Sequence, residues 1–249
     1  MDVAALAEAS YVLDRVTAAA DDGTPDVAVI NDVALLHRLR AMGSGESFEE
    51  RHACGAMQVL AYAIDPAAVA PDVREEAATA IAQGAPTDLR AALLRGLQGN
   101  ASAVRAAFRR QPDPQLADLY VRAFQRLIEF AGPDVSGYPS RLLDYAAALD
   151  LRCDFLQSDG DLADLNEAID VTDQALTVGA DDPATVIRAH KLRGPILVHR
   201  DEIRPGSSDL AAAGDSFRAL VELTDENDPQ HADHLSRLAT VQRLLRERS

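Results

Sequence analysis

Glu49 and His52, in "ESFEERHACG", have the Glu-x-x-His spacing with which a helix offers a carboxylate and an imidazole to a di-iron centre. Such a centre uses the motif twice, and this chain holds it once. An exposed glutamate beside a packed histidine accounts for the pair more simply. His231 and His234 stand one helical turn apart and could share a metal if a third ligand came from elsewhere. Histidines near a helix cap explain them at less cost, and no metal or cofactor is assigned.

Asp21, Asp22 and Asp26 in "DDGTPD" resemble the aspartate-rich magnesium motif of terpene synthases. That resemblance implies the alternative function: a small-molecule enzyme, acting for example on an isoprenoid in a helical cavity, with Glu49 and His52 in the same half of the chain. Asp and Gly around Pro25 are also what turn geometry selects, and no second metal-binding motif accompanies them. "GSGES" could cradle a phosphate at a helix start, but it lacks the lysine and the preceding strand of a P-loop. Ser47 and Glu50 have the spacing of a capping box instead. No residue is assigned a catalytic role.

A basic island is the feature with most to offer. Arg188, His190, Lys191, Arg193, His199, Arg200 and Arg204 fall close together in an otherwise acidic chain. On a helix Arg188 and Lys191 are neighbours, with His199 further along a similar face. If a preceding inner helix adds Arg141, Tyr145 and Arg152, these six line a groove that could clamp a carboxylate-bearing segment, because guanidinium forks bind carboxylates through two parallel hydrogen bonds. The competing account is that the arginines pair with the plentiful acids of neighbouring helices.

The chain has 249 residues and a formal charge of −16, which disfavours nucleic acid and anionic membrane alike, since both require a basic surface. A basic or neutral partner suits the average surface better. Apolar residues make up 47% of the chain but aromatics only 4%, so the apolar content is mostly Ala, Leu and Val, which favours helices. Lys191 is the sole lysine, as a GC-rich genome would produce. Cys54 and Cys153 form no motif, the N-terminal stretch is interrupted by Asp2, Glu8 and Asp14, and a reducing cytoplasm is the expected compartment. The sequon at Asn100 is then chance.

Helical periodicity runs through the chain and predicts an all-α fold. Shorter helices are expected near 3–20, 26–42, 47–64, 72–83, 88–98 and 101–110. Longer ones are expected at 115–131, 140–157, 161–176, 183–201, from 208, and to the C-terminus. Asp113-Pro114, Asp182-Pro183 and Asp228-Pro229 each place a capping carboxylate before a proline that needs no helical donor. "QPDP" at 111–114 is the expected seam between an N-terminal helical region, 1–111, and the remainder, 112–249.

"LADL" occurs at 116–119 and again at 162–165, and "DLADLNEAIDVTDQALTVGADDP" can be laid over "DLAAAGDSFRALVELTDENDP" with a two-residue deletion. Periods of this length belong to stacked helix pairs. The phrase built on Gly160, Asp161, Leu162, Leu165, Ala168 and Ile169 resembles tetratricopeptide-type repeats, in particular the long-period variety that accompanies caspase-like CHAT protease domains in bacteria. The resemblance covers 116–249. It implies an α-solenoid of antiparallel helix pairs, and a non-enzymatic module that binds a peptide or protein segment, such as one from a CHAT-type or other effector protein, on its concave face. In that register Leu165 is expected between stacked helices.

Overall fold

The computed structural model describes residues 7, 10–12, 27–43, 48–83, 89–156, 162–205 and 208–248. All regular structure among them is helical, and adjacent helices pack in pairs. No helix among the described residues is long and apolar enough to cross a membrane. The chain divides into two compact units, 1–130 and 131–249.

The first unit contains α1 (Val27–Gly43), α2 (Phe48–Ile64), a 3-10 turn (Pro66–Ala68), α3 (Pro71–Ala82), α4 (Leu89–Arg110) and α5 (Pro114–Ala131), whose last residue lies past the division. α2 packs against α1, α3 and α4. Its core is made of Ile30, Val33, Met57, Leu60 and Val104 with many alanines between them. Small side chains let the backbones approach closely: a Cβ added at Gly99 would stand 3.0 Å from the Ala53 Cβ and 3.4 Å from the His37 ring. This approach explains why 88–98 and 101–110, expected as two helices, form the single α4. Gly99 costs helix propensity but allows the contact. Asn100 is buried within that helix and its amide donates to Ser10 Oγ at 3.0 Å.

The division falls after Phe130 rather than at Gln111–Pro114. Asp113 does cap α5, accepting from the Gln115 amide at 2.8 Å. Beyond that cap, however, α5 returns its buried stripe of Leu116, Leu119, Phe124 and Leu127 to the same unit. Tyr120 lies 6.0 Å from Phe108 of α4 and 5.1 Å, edge on, from Phe124, so the aromatic contacts run straight across the tetrapeptide.

The second unit contains α6 (Tyr138–Leu156), α7 (Ala163–Val178), α8 (Pro183–Ile203), α9 (Asp209–Leu223) and α10 (His231–Glu247). Each packs against the next, and α8 also meets α6. The two halves of the overlaid repeat share a burial pattern. Leu165, Ala168, Ile169 and Thr172 of α7 correspond to Ala213, Ser216, Phe217 and Leu220 of α9, and all are buried. Asp182 caps α8 through the amides of Ala184 and Thr185. Asp228 differs from the expected cap, because α10 begins at His231 and Asp228 instead accepts from the Gln230 amide in the preceding turn.

Two glycines permit the tightest contacts of this unit. At Gly179 a Cβ would collide with Thr185, and at Gly194 it would stand 2.7 Å from the Phe217 ring. Gly194 is followed inside α8 by Pro195, which cannot donate to the carbonyl one turn earlier.

Candidate functional site

The basic island lies on α8 and its C-cap residue Arg204, and Arg188, Arg193 and Arg200 are engaged by acids of the helices around it. Arg188 donates to Asp144 of α6 at 2.6 Å and to Ser140 Oγ at 2.7 Å. Arg193 donates to Asp173 of α7 at 2.6 Å and to Ser216 of α9 at 3.1 Å. Arg200 grips Asp209 with two bonds, Nε to Oδ2 at 2.8 Å and Nη2 to Oδ1 at 2.6 Å. Lys191 turns the other way, toward Gln230 ahead of α10. Arg188 and Lys191, expected on one face of the groove, therefore reach different neighbours.

The contributions expected from α6 are similar in kind. Arg152 grips Asp164 of α7, Nε to Oδ2 at 2.7 Å and Nη2 to Oδ1 at 2.6 Å. Tyr145 donates its hydroxyl to Glu167 at 2.7 Å, and burial beside that carboxylate pushes the phenol pKa up. Arg141 reaches the Ser136 carbonyl at 2.7 Å. Arg152 and Arg200 occupy equivalent places in successive helix pairs. Each joins the end of one helix to an aspartate in the first turn of the next, where a carboxylate also complements the helix dipole. The two arginines stand 48 residues apart, the same offset as the overlaid segments, and that spacing was available in the sequence.

Of the six expected groove residues, His199 lines a cavity. A cleft of about 390 Å³ opens among α6, α8 and α10. Pro195, Val198, Phe217, Val241 and Leu244 form its apolar lining, while Asp150, Asp154 and Glu202 supply carboxylates. Ser236, Thr240 and Arg237 of α10 complete it. The His199 ring stands between the two aspartates of α6, Nδ1 at 3.4 Å from Asp150 and Nε2 at 3.4 Å from Asp154. These distances are long for hydrogen bonds, and a neutral imidazole has a proton on only one nitrogen. Burial raises the Asp150 pKa above the usual carboxylate value, with the His199 contact working in the opposite direction. Arg237 donates its Nε to Asp233, one turn away on its own helix.

The remaining candidates lie elsewhere. His234 is buried with neither ring nitrogen hydrogen-bonded among the described residues, whereas His231 Nδ1 lies 3.1 Å from the Thr224 carbonyl oxygen. The two histidines thus do not converge. Among the described residues no group of three or more His, Cys, Asp or Glu side chains is placed to hold a metal ion. Asp21, Asp22, Asp26, Ser47, Gly160 and Asp161 lie outside the described residues, as do the side chains of Glu49, Glu50 and His52. Comparison of the chain with family models, with curated proteins and with solved structures finds no match.

Proposed function

We propose that the second unit is a non-enzymatic interaction module that receives an extended segment of a partner protein in the cleft among α6, α8 and α10. The observation that carries this reading is the cleft's construction mainly from alternate helices, α6, α8 and α10, with Phe217 of α9 joining an apolar lining that also holds carboxylates. In a stack of tetratricopeptide-type pairs the first helix of each pair lines the concave side. Here α6–α7 and α8–α9 are the successive pairs and α10 the next inner helix. The contact of α6 with α8 and the equivalent arginine ties of Arg152 and Arg200 support that solenoid arrangement. At about 390 Å³ the cleft is near the small end of ligand sites, so it takes a few side chains of a segment and not a whole domain.

The groove differs from the one the basic island suggests. Its opening is acidic, because the arginines of α8 that were expected to face a ligand are bound to Asp144, Asp173 and Asp209.

Selection of a random heptapeptide library on the immobilised chain tests the reading. Val198→Trp and Thr240→Trp fill the cleft with aromatic volume. Enriched peptides are expected to lose affinity for this double variant by about tenfold or more, as when hot-spot contacts of about 2 kcal/mol are removed. Thermal unfolding verifies that the variant is folded. Peptides that bind the native and filled proteins equally would remove the cleft from the function.

A further inference from the structure

The acids of the cleft differ from the five aspartates of the same unit that tie its helices together. Asp144, Asp164, Asp173, Asp201 and Asp209 each hold an arginine at 2.5–2.6 Å. Among the described residues, Asp150 and Asp154 have no such partner and share only the His199 ring at 3.4 Å. Glu202 adds a third carboxylate to the lining, and the only basic side chain there besides His199 is Arg237, already bonded to Asp233. Three carboxylates thus face one guanidinium in the lining, besides the His199 ring. Five aspartates at helix junctions of the unit are thus matched by arginines, while the cavity lining has a deficit of positive charge.

From this charge pattern, and resting on the interaction reading above, we infer that the cleft recognises an arginine side chain of the bound segment, flanked by an apolar residue. Asp150 and Asp154 lie one turn apart on α6, so a guanidinium entering between them can donate to both, as a compact ammonium cannot do with the same planar geometry. The flanking residue packs on Val198, Phe217 and Leu244. His199 occupies the place of the incoming cation and moves aside for it. A chain of net charge −16 also attracts such a segment at long range.

Two focused heptapeptide libraries, identical except that the central residue is fixed as arginine or as citrulline, separate charge from shape. Measured by fluorescence anisotropy on the full chain, arginine-centred binders are expected to be about tenfold or more tighter than their citrulline counterparts. That advantage is expected to vanish in Asp150→Asn/Asp154→Asn. This variant removes charge without volume, and thermal unfolding checks its fold. His199→Arg places a permanent cation in the cleft and is expected to block arginine peptides by a similar factor. Equal binding of citrulline peptides, or an arginine advantage that survives in the double asparagine variant, overturns the inference while leaving the cleft as a binding site. Displacement of the peptides by spermidine at equal affinity overturns it too, since any polycation would then serve. If neither library yields binders sensitive to the filled cleft, the interaction reading falls together with it.

Discussion

Among the described residues, the two units show different contacts between their helices. In the first, the described contacts between helices include close apolar packing, Gly99 against Ala53 and the Tyr120 ring against Phe108, and a cation over a ring, Arg105 on Phe124. One ion pair between its helices among the described residues, Arg38 with Asp72, is 4.0 Å long and exposed on both sides. In the second, α8 is tied to α6 by Arg188, to α7 by Arg193, to α9 by Arg200, and to the end of the chain through Asp201 and Arg248. Alanine faces allow many registers of similar energy, because one small side chain replaces another without a clash. A guanidinium fork has one register in which both bonds form. The difference teaches that the second unit specifies the alignment of its helices with directed polar contacts around a conventional apolar core.

The largest effect is expected at the core of the second unit. Leu165 is fully buried, and Leu165→Asp forces an unpaired charge into its place at a cost beyond the ~2–5 kcal/mol of truncating a core leucine. Hydrogen exchange should show amide protection lost across α6–α9; protection retained there would contradict the assigned register. Next comes Arg200→Ala, which deprives Asp209, only 7% exposed, of its fork. A loss of about 3 kcal/mol in denaturant unfolding is expected, since a carboxylate that burial would otherwise penalise keeps its charge and loses its partner.

Gly194→Ala is expected to be smaller. Its Cβ would press on the Phe217 ring at 2.7 Å, and overpacking of about 1–3 kcal/mol is partly offset by about 1 kcal/mol of regained helix propensity. A net destabilisation of about 1 kcal/mol in the same assay fits; a stabilised variant would show that the ring yields freely.

Acid has a gentler influence. Burial, first, and then Lys191 hold the His234 pKa below its usual 6.5, while burial lowers His190 as well. Asp233 and Asp228 act in the opposite direction on His234, with Arg237 adding to Lys191. The unfolded chain takes up these protons at a higher pH than the folded one. Their contribution to stability is thus present above pH 6.5 and is lost as pH falls through the folded values. Comparing melting temperatures at pH 7.5 and pH 5.5, conditions on either side of the usual histidine value, should show a drop that His234→Leu reduces. An equal drop in the variant would assign the effect to other groups. Smallest of all, Arg38→Ala in the first unit is expected to change stability by less than about 0.5 kcal/mol, as for other exposed pairs. A cost like that of Arg200→Ala would erase the contrast between the units.

Much of the architecture was legible from periodicity. The stripe of α7, the caps at Asp113 and Asp182, and the apolar faces of α5 and α9 follow from residue spacing because helix geometry is local. What escaped depends on partners distant in sequence. Gly99 and Asn100 look like a break between helices until Ala53 and His37 are seen beside them. Leu235 of the last helix is 46% exposed, while His234 beside it is buried. Arg152, Tyr145 and Arg188 look like ligand-binding groups when only their own helices are considered. Asp164, Glu167 and Asp144 lie on other helices, and only packing determines that they meet.

By itself the sequence determined that this chain is helical, where most of its helices begin and end, and that its surface carries a strong excess of negative charge. These are properties of neighbours in the chain and of composition, and they need no knowledge of what touches what. The tertiary structure decided which charges are spent inside the molecule and which are left over. A carboxylate's availability depends on whether a guanidinium from another helix lies within about 3 Å, and that distance exists only once the helices have packed.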